Sequence, residues 1–418
     1  MLTVSDPRRD QLALTVRKTV LETPVFDIHT HLYDPAFGSL LLWGIDDLLV
    51  YHYLVAETFR FLDLPYDAFW RLTKEEQANR VWQLLFQDHS PISEAARGVI
   101  TVLNRLGLDP RRNDLPALRA WFKGWKVNDF ISRCLDLAKV RLVCMTNSPF
   151  DPLERPTWDT GFARDPRFVA ALRIDPLLVA WPDAATLLAS DGYITSSDLS
   201  SSTFDGARRF LTDWALRIDA RYVMVSLPPS FSYPGSSTTA VLIEKVVVPF
   251  CEDTGLPFAL MLGVKRAVNP ALQLAGDGVG RSHLDSLEAL CARHPKVRFL
   301  STVLSLENQH ELCVLARKFR NLHPFGCWWF TNIPETIREM TRLRLELLGT
   351  SFTPQHSDAR VLDQVIYKWD HSRHLIADAL VEKYLDLAAS GWWPTDSEIR
   401  RDVAELLGGA FETFCGRR

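Results

Sequence analysis

Two histidines one residue apart, His29 and His31, end the short apolar run Pro24-Val25-Phe26-Asp27-Ile28-His29-Thr30-His31-Leu32. In a strand alternate side chains share a face, so both imidazoles project to one side, about 6 to 7 Å apart along the backbone. Neutral imidazole is a good ligand for zinc and related divalent ions, and two on one rigid strand end lose little entropy on closing around a metal. His-x-His alone is a weak pattern. A carboxylate from elsewhere in the chain would make it a site, and Asp358 in His356-Ser357-Asp358-Ala359-Arg360 is the candidate. Two nitrogens, one oxygen and open positions for substrate are what a catalytic metal requires.

For Asp358 to meet His29 and His31, the chain must close on itself. Apolar, β-rich runs follow the first strand at Leu142 to Thr146, Phe168 to Ile174, Tyr222 to Leu227, Phe258 to Leu262, Arg298 to Leu304, Pro324 to Phe330 and Glu346 to Phe352. Helix-like stretches separate them, which implies parallel pairing, and eight strands at this length favour an α/β fold of the (β/α)8 TIM-type barrel class over an open doubly wound sheet. No glycine fingerprint supports the open sheet: Gly276-Asp277-Gly278-Val279-Gly280 lacks the dinucleotide spacing and reads as a flexible loop. Strand eight then neighbours strand one, bringing Asp358 to the histidines. The stretch 40–139 has almost no β-like run and many apolar positions at helical spacing, and reads as a helical insertion after the first strand, within a single barrel domain spanning 1–418. The first 22 residues read as an amphipathic helix.

Composition narrows the function. The 418 residues are 47% hydrophobic and 23% charged, enough for a large core, and a net charge of -4 argues against nucleic acid as a partner. Seven cysteines without a C-x-x-C pair suit reduced thiols in a cytoplasmic protein. The best membrane candidate, 39–55, carries Asp46, Asp47 and His52, too polar for a lipid-facing span. The aromatic content of 11% allows a homo-oligomer, but no stretch specifies one.

In a barrel the chemistry sits at the C-terminal strand ends. Besides the histidines, this places Arg173 there, either binding an anion or paired with Asp175; Lys265-Arg266, an anion-binding or solvated pair; and Trp328-Trp329-Phe330, of which adjacent members should point opposite ways in a strand. His371 and His374, three apart, read as a solvated or subunit-contact helix face.

The blocks Asp27-Ile28-His29-Thr30-His31-Leu32, His52-Tyr53, Leu172-Arg173-Ile174-Asp175, Leu304-Ser305-Leu306-Glu307-Asn308, Trp328-Trp329-Phe330-Thr331-Asn332 and Ser357-Asp358-Ala359-Arg360 resemble, in order and spacing, the uronate isomerase family of the amidohydrolase superfamily. The resemblance implies an aldose–ketose isomerase acting on a sugar acid, such as D-glucuronate to D-fructuronate, with one divalent metal, zinc by preference, on His29, His31 and Asp358. Moving the carbonyl from C1 to C2 needs a base for the C2 proton and stabilisation of an enediolate. Asp358 is the candidate base; Tyr53 and His52 are candidates for hydrogen bonding or proton shuttling. Arg173 or Arg360 could hold the substrate carboxylate bidentately, with Trp328 and Trp329 lining the site. Strands four to six end without extra ligands, against a binuclear hydrolase; a mononuclear hydrolase or decarboxylase of a sugar-acid-like substrate is the alternative.

Three departures touch the substrate side. The usual Thr-Asp-Asp-Pro after strand two is Thr146-Asn147-Ser148-Pro149, strand four ends in Ser226-Leu227-Pro228-Pro229 where the family has a histidine-bearing turn, and the expected Tyr-x-Trp-Arg is Tyr53-Leu54-Val55-Ala56.

Overall fold

The computed structural model describes residues 6–416. The chain enters through the helix Pro7–Glu22, capped where Asp6 accepts the Arg8 N–H at 3.0 Å, with proline in the first turn, where its missing N–H costs nothing. Seven parallel strands follow: β1 (Val25–Thr30), β2 (Val140–Asn147), β3 (Phe168–Arg173), β4 (Ala220–Leu227), β5 (Phe258–Leu262), β6 (Phe299–Val303) and β7 (Leu322–Pro324), paired in sequence order. Most of their residues are buried because helices cover the outer face and a second core fills the interior.

The eighth stave is irregular. Thr353 exchanges backbone hydrogen bonds with the β7 edge, to Pro324 O and from Gly326 N, and the chain then crosses to β1, where Asp358 N–H donates to His29 O at 3.2 Å and His31 N–H donates to Ala359 O at 2.8 Å. These bonds close the barrel. The stave therefore lies at 353–359 and not at the expected Glu346 to Phe352. The apolar positions of Glu346-Leu347-Leu348 belong to the helix Pro334–Leu348, whose face buries Ile337, Met340 and Leu345 and which ends at Gly349 with φ 63°. The seventh strand is likewise shorter than expected: it stops at Pro324, and Trp329–Thr331 forms a 3-10 turn. The glycine-rich piece pairs Gly278–Val279 with Val264–Lys265 in a small antiparallel hairpin after β5.

Between β1 and β2 the chain is helical, from the short helix Ile45–Leu49 to Val127–Ala138; Lys74–Trp82 opens with a capping box of Thr73 and Glu76. Apolar residues of these helices, such as Val99, Leu118 and Ile131, join one buried cluster with Val143 and Leu172 of the strands. A smaller cluster fills the barrel, with Phe26, Ile28, Val169, Met224, Met261 and Leu300, and is plugged by Phe411, edge-on to Phe26 with ring centroids 5.5 Å apart. The 26-residue helix Gln364–Ala389 packs against the Pro7–Glu22 helix and against Glu94–Arg105. This buries His371 against Glu94, Nδ1 to Oε1 2.6 Å, so the expected solvated face is wrong for His371; His374 is exposed. All seven cysteines are buried. Among the described residues no helix is long and apolar enough to cross a membrane.

Candidate active site

Strict alternation along β1 would turn His29 away from Ile28, yet both face the barrel interior. The register explains it: Asp27 aligns with Val143 and Thr30 with Met145, three steps on β1 against two on β2. This bulge re-aims the strand end, so that Phe26 and Ile28 fill the core while the His29 ring meets Phe325 and His356. Asp27, on the outer side, reaches helix Gln364–Ala389 through Trp369.

At the mouth the His29 and His31 rings stand 5.5 Å apart and nearly perpendicular. Each Nε2 lies 3.4 Å from the same Asp358 oxygen, Oδ1, and one donor atom from each residue falls within 4.8 Å of the others. The remaining ring nitrogens fix the tautomers. Tyr222 donates its O–H to Ile28 O at 2.8 Å, so its oxygen accepts from His29 Nδ1–H at 3.3 Å. Thr146 donates to Thr30 O at 3.0 Å and accepts from His31 Nδ1–H at 3.1 Å. Both protons thus sit on Nδ1 and both Nε2 lone pairs face Asp358. His29 Nε2 and Asp358 Oδ1 are buried without a hydrogen-bond partner. Three acceptors converging with no donor among them make a site built for a cation.

Electrostatics agree with that donor set. Burial, then the neighbouring Arg360, pushes His31 down to about 3, which keeps it neutral. Asp358 is held at φ 53°, a left-handed conformation that a non-glycine residue adopts only under constraint. The constraints are Asp358 N–H to His29 O, Ser357 N–H to Asp27 Oδ1 at 2.9 Å, and Asn332 Nδ2–H to Ser357 O at 3.1 Å.

A cleft of about 530 Å³ opens above the cluster, lined by His31, Tyr33, Thr146, Glu154, Arg173 and Arg360 among others. A narrow recess of about 20 Å³ continues it to His29, His52, Arg266, Trp328, Trp329 and Asp358. Arg173 is a cleft residue and an ion-pair partner at once, bidentate to Asp175 at 3.0 Å through both nitrogens. Arg360 lines both spaces, and no carboxylate among the described residues pairs with it. Trp328 and Trp329 both line the recess, contrary to opposite orientations in a strand, because the 3-10 turn replaces strand geometry there and Trp329 takes φ 49°. His52 stands in the recess; Tyr53 packs 4.5 Å from its ring, with Tyr51 behind it at 5.0 Å.

No protein-family model and no curated protein matches the chain. Among solved structures, a uronate isomerase from Bacillus halodurans C-125 is 50% identical, with a TM-score of 0.97 over 100% of this chain and 98% of its own. The chain belongs to the uronate isomerase family. A uronate isomerase from Thermotoga maritima, 14% identical with a TM-score of 0.77 over 97% of both chains, shares the fold. So does a glucuronate isomerase from Caulobacter crescentus, 16% identical with a TM-score of 0.78 over 99% of this chain and 95% of its own.

This uronate isomerase family chain brings His29, His31, His52, Arg173, Trp328, Trp329, Asp358 and Arg360 to one mouth, with Tyr53 beside it. Several neighbours had no sequence signal. Tyr222 acts on the site from a position that read as strand filler, and Asp27, though inside the first resemblance block, carried no sign of its hold on Ser357. Lys368 is buried on the last long helix, its ammonium 5.8 Å from the Tyr53 ring and 5.1 Å from that of Tyr367, and burial lowers it to about 8. Tyr33 and Glu154, which face the cleft together, lie outside every block that signals the family.

Proposed function

We propose that the protein is an isomerase interconverting an aldose acid and a ketose acid of the uronate type, working as one domain with one divalent ion held by His29, His31 and Asp358. Zinc suits two imidazoles and a carboxylate, and seven buried cysteines without a C-x-x-C pair suit the cytoplasm. The bound ion would supply a positive centre that orients the hydroxyl and carboxylate oxygens of the sugar acid.

The chain's own groups account for the proton transfers. Asp358 turns one oxygen to the imidazoles, leaving the other to take the C2 proton and return it at C1. His52 is driven down to about 3 by burial, then by Arg360, so it stays a neutral imidazole that can accept or donate a hydrogen bond to the sugar oxygens. Tyr53 is pushed well above its ordinary value, first by burial, so it keeps its proton and serves as a hydrogen-bond donor to the oxygens that change charge. Arg360 is the better fork for the substrate carboxylate, since Arg173 is already committed to Asp175. Trp328 and Trp329 narrow the recess and exclude water from it.

The observation that carries this reading is the 50% identity, over the whole chain, to a uronate isomerase. Its test is to incubate the purified protein with D-glucuronate and D-galacturonate, follow ketose formation, and measure bound metal. Asp358→Asn should abolish turnover while the melting temperature holds. Acid release from lactones, or CO2 from sugar acids, without any ketose would replace the isomerase with a mononuclear hydrolase or decarboxylase.

A further inference from the structure

The end of β2 and the turn after it carry neutral Asn147 and Ser148 where an acidic pair was expected, but the place does not lack a carboxylate. Glu154, just before the helix Arg155–Thr160, folds back into it and is 2% exposed. Its Oε2 accepts Asn147 Nδ2–H at 2.9 Å and Ser148 N–H at 3.1 Å, and its Oε1 accepts the Tyr33 O–H at 2.9 Å. Tyr33 leaves β1 two residues after His31 and lines the cleft with Arg173 and Arg360.

A phenol has one hydrogen and can accept through its oxygen. Tyr33 gives its hydrogen to Glu154, so only the lone pair of Oη remains for the cleft. We infer that Glu154 is a positioning residue that fixes Tyr33 as a hydrogen-bond acceptor, so that the cleft selects a substrate carrying a hydroxyl, a donor, at that place. The inference rests on the sugar-acid reading above and deepens it. A purely structural Glu154 would be costly to keep: burial, partly offset by Asn147, Tyr33 and Ser148, raises its carboxyl to about 7. Glutamine has the same shape without that penalty, and it cannot do the same task. Its single oxygen would take Asn147 and Ser148, its amide would face Tyr33 and donate to Oη, and the phenol hydrogen would turn into the cleft. The polarity inverts while the volume stays constant.

The experiment compares wild type, Glu154→Gln, Tyr33→Phe and the double variant, by KM and kcat on D-glucuronate and by calorimetric binding of D-gluconate, a polyhydroxy acid with no carbonyl to isomerise. A lost or mismatched hydrogen bond to substrate predicts a KM rise and D-gluconate weakening of roughly 10- to 100-fold in each single variant, with kcat within about threefold. Because Glu154 acts through Tyr33, adding Glu154→Gln to Tyr33→Phe should weaken binding no further. Unchanged KM in either single variant, or effects that multiply in the double, overturns the inference. If Glu154→Gln fails to fold, Tyr33→Phe decides alone, since it leaves the Glu154 pocket filled. A wild type that binds D-gluconate but isomerises neither uronate refutes the isomerase reading, and the calorimetric comparison then judges this inference by itself. A wild type with neither binding nor turnover overturns both.

Discussion

Replacing Asp27 with asparagine separates the folding role of a residue from its hold on the site. Asp27 is fully buried on the outer side of β1; Oδ1 accepts the Ser357 N–H and Oδ2 the Trp369 Nε1–H, both at 2.9 Å. Asn has one acceptor for these two donors, so one is left facing an NH2 group. The lost charge-assisted bond and the unsatisfied donor together cost on the order of 3 to 5 kcal/mol. An opposing effect has nearly the same size. Burial, against hydrogen bonds from Ser357 and Trp369, raises Asp27 from 3.8 to about 6, so keeping it ionised at pH 7 costs roughly 3 kcal/mol that Asn avoids. Global stability should therefore fall by no more than about 2 kcal/mol, a shift of at most a few degrees in Tm. The site should suffer far more. Ser357 precedes Asp358, whose left-handed backbone is held by that N–H, and a displacement near 1 Å at a reacting group costs about 100-fold in rate. Metal retention after dialysis, measured by elemental analysis, should drop about 10- to 100-fold in affinity. Wild-type kcat and metal content in a variant with a lowered Tm would refute the reasoning, because Asp27 would then serve the fold alone.

Two further outcomes follow from groups around the same closure. At Gly326, φ is 65° and a Cβ would lie 1.9 Å from His356 Cδ2; Gly326→Ala should push His356 onto His29, whose ring is 4.9 Å away, and lower both Tm and metal stoichiometry, and a variant normal in both would show the contact to be soft. Asp363, which accepts the Gly44 N–H at 2.7 Å, is raised by burial from 3.8 to about 7. The folded state then holds a proton that the unfolded chain releases, so this contribution is full below pH 4 and is lost as pH rises through 7. Asp363→Asn should remove that loss, on the order of a few kcal/mol between pH 4 and 8, in melts compared with wild type; parallel pH profiles would refute it.

The strands that could be read from the sequence are those whose signal is hydrophobic. Phe258–Leu262 stands where its apolar run predicts, because a strand buried on both faces is written in its own side chains. The eighth stave is the reverse case. Thr353-Pro354-Gln355-His356-Ser357-Asp358 is polar, and it is held by groups distant in sequence: Gln355 Oε1 accepts Cys327 N–H and His356 N–H, and Asn332 and Asp27 tie down its backbone. No window of local pattern contains those partners, so the apolar helix end before it drew the assignment. The same division runs through the site. The convergence of His29, His31 and Asp358 was legible because few residue types can hold a cation, whereas the β1 bulge that aims the histidines inward depends on register against β2.

That division bears on how the altered β2 turn should be read. Two carboxylates missing from a motif suggest a neutral pocket, yet the hydrogen-bond donors of Asn147 and Ser148 imply an acceptor wherever they are buried. Glu154 is that acceptor, supplied seven residues after Asn147. At 147 the substitution turns an acceptor into a donor, whereas the Ser148 donor is its backbone N–H, present with any side chain; a buried amide donor needs an acceptor, and a glutamate a few residues downstream can supply it. The polarity of the cleft wall follows from that pairing: the Asn147 amide and the Ser148 backbone N–H fix one Glu154 oxygen, and the other is left to orient Tyr33.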